Sequence, residues 1–130
     1  MTRILLAVDS GILRPRLISI ISEIPGVQTI CDVENTNQVV EEVRCFKPDV
    51  VLLSLLKLSQ SSTRLASLLR AENPHLPLIA LTGPFTTRDE SGWQKVGGDC
   101  VFDVTLGHKM LVDYISNFVA KNKAPAETSI

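Results

Sequence analysis

The run Asp49-Val50-Val51-Leu52-Leu53-Ser54, introduced by Lys47-Pro48, constrains this chain more than any other stretch. Its apolar residues follow one another without polar alternation, which suits a strand buried on both faces at the centre of a parallel sheet. Open α/β sheets of this kind place their sites at the carboxyl ends of the strands. Ser54 stands at that end. What Ser54 and its neighbours can do therefore decides much of the function.

Two more runs repeat the pattern. Ile4-Leu5-Leu6-Ala7-Val8 ends in Asp9-Ser10-Gly11, and Leu78-Ile79-Ala80-Leu81-Thr82 ends in Gly83-Pro84. Shorter strands are predicted over Val27 to Cys31 and from Cys100-Val101-Phe102. Helical spacing fills the intervals. Leu13, Leu17, Ile20, Ile21 and Ile24 share one face; Pro15 is tolerable in the first turn and Pro25-Gly26 is the stop. Asn35 with Gln38 resembles a capping box for a helix turning Val39, Val40, Val43 and Phe46 inward. Ser61-Ser62 offers an N-cap for a helix carrying Leu65, Leu68 and Leu69, which Asn73-Pro74 ends.

The cluster Thr86-Thr87-Arg88-Asp89-Glu90 is ordinary helix-start chemistry. It opens a helix from Thr87 to Val96, whose propensity Ser91-Gly92 lowers and which Trp93 and Val96 press onto the sheet. Phe85 is either packed under that helix or an exposed partner contact. Met110, Leu111, Tyr114, Ile115, Phe118 and Val119 form the stripe of a final helix. The tail from Asn122, with Pro125, is predicted to fray, leaving a domain over 1–121 and a flexible tail over 122–130. Five strands alternating with five helices imply a doubly wound parallel sheet, an α/β three-layer sandwich.

A chain of 130 residues with 45% hydrophobic content fits one well-packed domain. Its net charge of -1 makes no electrostatic case for nucleic acid or an anionic membrane. No apolar run approaches the roughly 20 residues of a membrane span. Met1-Thr2-Arg3-Ile4 leads straight into a strand and does not read as a signal peptide. Cys31, Cys45 and Cys100 are odd in number and lack ligand spacing; they read as reduced thiols filling the core of a cytoplasmic protein. His75 and His108 also lack ligand spacing and read as solvated. No metal or cofactor is expected.

Four segments together resemble the receiver domain of bacterial two-component response regulators, the CheY-like fold, nearest to receivers that precede helix-turn-helix output domains. Ile4-Leu5-Leu6-Ala7-Val8-Asp9 is similar to the family's first strand and its acidic end. Lys47-Pro48-Asp49-Val50-Val51-Leu52-Leu53 resembles the run before the phospho-accepting aspartate. Leu76-Pro77-Leu78-Ile79-Ala80-Leu81-Thr82 resembles the fourth strand, and Gly97-Gly98-Asp99 the Gly-Ala-Asp turn. Arg3 to Val119 is covered without an obvious gap. The resemblance implies a flavodoxin-like sheet of order 2-1-3-4-5.

It also implies a site, and the chain departs from it. Family members transfer a phosphoryl group to an aspartate while Mg²⁺, held by carboxylates, and a lysine neutralise charge. By the resemblance, Asp9 matches the first acidic position, but Ser10 stands at the second and Ser54 at the acceptor. Thr82 matches the hydroxyl residue. Val104 falls where the lysine belongs, Thr105 where a proline commonly follows, and Val101 at the aromatic switch position. Leu55-Leu56-Lys57-Leu58-Ser59-Gln60 replaces the usual Met-Pro-Gly-like turn, which could set Leu56 at the pocket mouth. Asp9 alone is at most a weak metal ligand. No His or Lys at a matched position activates Ser54 as a nucleophile.

The expectation is a pseudo-receiver that is not an enzyme. It would act without phosphorylation, by presenting a surface to a signalling partner or its own twin. Relatives signal through the fourth helix, fifth strand and fifth helix, which makes Arg88, Lys95, Asp103, Lys109 and Asp113 the candidate face here. Direct contact with nucleic acid or membrane is not expected. The alternative is a phosphoacceptor receiver working through a substitute residue. A small-molecule-binding flavodoxin-like domain is a third reading, weakened by the lack of a Gly-rich phosphate loop after the first strand.

Overall fold

In the computed structural model, which describes residues 2–8, 13–33, 38–55 and 60–128, the apolar runs become neighbouring strands. β1 (Thr2–Val8), β2 (Val27–Val33), β3 (Val50–Ser54), β4 (Leu78–Thr82) and β5 (Cys100–Asp103) form one parallel sheet in the order β2-β1-β3-β4-β5. Every residue of β3 and β4 is buried, as unalternating sequences require. The register aligns the strand ends: Val8 pairs with Ser54, Ser54 with Leu81, and Thr82 with Asp103.

Alternation along the strands then assigns the layers. Leu5, Ala7, Val51, Leu53, Leu78 and Ala80 face α2 (Val39–Phe46), α3 (Gln60–Glu72) and α4 (Thr87–Lys95), where Val43, Leu69 and Trp93 pack. Ile4, Leu6, Val8, Val50, Leu52, Ile79 and Leu81 face α1 (Leu13–Ser22) and α5 (Lys109–Thr128), through Leu17, Ile21, Leu111, Ile115 and Val119. The doubly wound, three-layer, flavodoxin-like architecture follows. Each fully buried Leu or Ile in these layers contributes about 1.5–3 kcal/mol.

The N-terminal edge of the sheet is closed by a network around one arginine. Arg70 of α3 donates through Nε and Nη2 to the Gly97 carbonyl at 2.9 and 2.7 Å, and through Nη1 to the carbonyls of Asn73 and Pro74 at 3.1 and 2.7 Å. Its Nη2 also meets Asp99 Oδ2 at 3.0 Å, and the same oxygen accepts from Leu78 N at 2.7 Å. This explains the Gly-Gly-Asp turn. Gly97 has φ +106° and lies against Arg70.

Several details differ from the sequence-based expectations. α2 has Gln38 at its N-cap without a side-chain hydrogen bond, and Asn35 lies outside the described residues. α3 turns Ser62, Ala66 and Leu69 inward, a spacing of four and three, and this leaves Leu68 51% exposed. Met110 is exposed because Leu111, Ile115 and Val119 carry the buried line of α5. Cys45 is exposed on α2 and does not fill the core, whereas Cys100 is half-buried at a strand start and packs against the layer under α1 and α5; the side chain of Cys31 is not among those described. His75 is exposed, but His108 is half-buried with its Nδ1 enclosed. The helical backbone of α5 runs to Thr128. Good helix formers such as Lys121, Lys123 and Ala124 lie along that stretch.

Candidate functional site

The carboxyl ends of β1, β3, β4 and β5 meet at one edge of the sheet, and three of the five matched positions are described there. Ser54 closes β3 with only 6% of its surface exposed, and the ladder extends one residue further through Leu55 N donating to Leu81 O at 2.9 Å. Thr82 closes β4 at 3% exposure, and its hydroxyl donates to the Gly83 carbonyl at 2.7 Å. Both are neutral hydroxyls in a nearly dry setting. Asp9 and Ser10 lie outside the described residues, as does Leu56.

Val104 begins a 3-10 turn, Val104–Leu106, directly after β5. Its side chain is half-buried against the apolar layer under α1 and α5, with Phe102 and Val112 in the same cluster. An ammonium at this position would lean toward that cluster, so valine fits the packing where lysine would need an anionic partner. Asp103 caps the turn. Its Oδ1 accepts from Thr105 N at 2.9 Å and, by a short bond, from the Thr105 hydroxyl.

Arg14, which the sequence did not single out, binds the same end of the sheet from α1. Its Nη2 donates to the Val8 carbonyl at 2.6 Å, and its Nε stands 3.2 Å from Asp32 Oδ1. The guanidinium thus ties the end of β1 to β2. An arginine six residues after a strand end carries no distinctive sequence signal.

A hard divalent cation at this edge would want several carboxylate oxygens. Among the described residues the edge offers the hydroxyls of Ser54 and Thr82 and the carboxylate of Asp103, which the Thr105 turn already engages. No group of three His, Cys, Asp or Glu side chains suited to a metal occurs among the described residues. Taken alone, these described donors do not make a Mg²⁺ site; Asp9 and Ser10, which follow β1 in the sequence, lie outside them.

The candidate interaction residues surround the edge strand β5. Arg88 and Lys95 are exposed on α4, and Lys109 and Asp113 on α5; Asp103 is half-buried in its turn and is not a free surface charge. Val101 is 5% exposed in the layer that holds Trp93, and Phe85 packs partly buried against the same cluster. Phe102 meets Tyr114 edge to face at 5.7 Å between ring centroids. Burial, then the neighbouring Cys100 and Asp99, pushes the Tyr114 phenol up to about 12. Burial also pushes up the Cys100 thiol, an inert environment for that group.

No family model matches the chain, and neither does any curated protein. Solved structures do. A LuxR-family two-component response regulator from Aurantimonas sp. SI85-9A1 superposes with a TM-score of 0.82 at 18% identity, covering 93% of this chain and 86% of that one. The signal receiver domain of a DNA-binding response regulator (merR) from Colwellia psychrerythraea 34H gives 0.81 at 20%, covering 92% and 99%. A candidate pilus assembly protein (cpaE) from Burkholderia thailandensis E264 gives 0.78 at 14%, covering 93% and 99%. The chain has the receiver fold of two-component response regulators, with the same five-stranded order. No helix among the described residues is long and apolar enough to cross a membrane.

Proposed function

We propose that this chain is a pseudo-receiver: a cytoplasmic signalling module that acts by binding another protein, without accepting a phosphoryl group and without catalysing a reaction. The observation that carries the reading is the pairing of Ser54 and Val104. A buried hydroxyl closes the third strand, and a valine packed into the apolar layer follows the fifth. Phosphoryl transfer to a receiver needs an anionic acceptor and fixed positive charge around the incoming oxygens. Neither position supplies charge. The likeness to a candidate pilus assembly protein as well as to response regulators adds that the fold serves under more than one description.

The test is direct. Incubated with Mg²⁺ and a small acyl phosphate, the protein is expected to keep its unmodified intact mass. An acid-stable, base-labile adduct at a carboxylate of this edge would establish the phosphoacceptor alternative instead.

A further inference from the structure

We draw no further inference here: the strongest candidate, the surface patch of Leu106 and Met110, 83% and 70% exposed where the turn after β5 leads into α5, carries nothing because nothing in the structure shows what covers it.

Discussion

Gly98 lies flat against the indole of Trp93: a Cβ at Gly98 would stand 2.2 Å from Trp93 Nε1, closer than any real contact. The turn that leads into β5 is therefore built around the ring that anchors α4, and Gly98 N donates to the Trp93 carbonyl at 2.9 Å. Gly98→Ala should force one of the two aside and destabilise the domain by about 1–3 kcal/mol. Trp93 is the only tryptophan, so its fluorescence during thermal unfolding reports the change at its source. A variant melting with the parent would show that the turn yields freely.

The neighbouring Gly97 depends on Arg70 in a different way, because its carbonyl accepts from both Nε and Nη2. Arg70→Met keeps the side-chain stem over Gly97 but removes donors from the Gly97, Asn73 and Pro74 carbonyls. A loss of roughly 1–3 kcal/mol is expected from denaturant melts. Arg70→Lys should recover little of it, since one ammonium cannot span groups that a planar fork reaches together. Full recovery by lysine would mean that charge toward Asp99 matters more than the carbonyl contacts.

Alkaline pH tests the packing of α5 on β5. Tyr114 is held protonated up to about 12, above its ordinary 10.0. A folded-state pKa raised this way contributes stability fully present below pH 10, which is lost as pH rises from there through about 12. Cys100 acts with the same sign from its ordinary 9.0 upward. The melting temperature should hold level near neutrality and fall over that alkaline window, and Tyr114→Phe should flatten the upper part of the fall. Tyr114 is the only tyrosine, so ultraviolet titration of the phenol follows it alone. A phenol that titrates at its ordinary value in the folded protein would contradict the burial.

Strand identity and order were legible because unalternating runs such as Val50–Leu53 have few other uses in a short chain, and the structure buries every residue of β3. The cap of α4 was legible too: Thr86 and Asp89 form a capping box at the cluster expected to start it. Helix faces were harder. Leu68 and Met110 are apolar and adjacent to buried positions, yet both are exposed, because composition does not say which of two neighbouring stripes the sheet will cover. The partners of Arg14 and Arg70 were invisible for another reason. They bond to backbone carbonyls whose positions exist only once the strands pair. At the candidate site the residue types were legible from the resemblance, and the structure adds the burial of Ser54 and Thr82 and the packing of Val104.

If this edge is a receiver site silenced by loss of charge, restoring its carboxylates should restore a response to Mg²⁺. Ser54→Asp places a carboxylate where only 6% of the present residue is exposed. Adding Ser10→Asp returns, with Asp9, the acidic pair that follows β1, whose Val8 pairs with Ser54. Clustered carboxylates raise one another's pKa and burial raises it further, so the double variant should melt below the parent without metal. Mg²⁺ binding to the folded state should then restore stability, by about 2.7 kcal/mol when its concentration is roughly a hundred times its Kd. The parent, with hydroxyls at both positions, should not respond. Val104→Lys added to the double variant should raise its metal-free melting temperature, because the ammonium gains anionic partners that the apolar layer does not offer. Thermal melts with and without Mg²⁺ decide the matter. A parent as responsive as the double variant would refute charge loss as the cause, and a folded double variant that ignores Mg²⁺ would place the obstruction in the segment after Leu55.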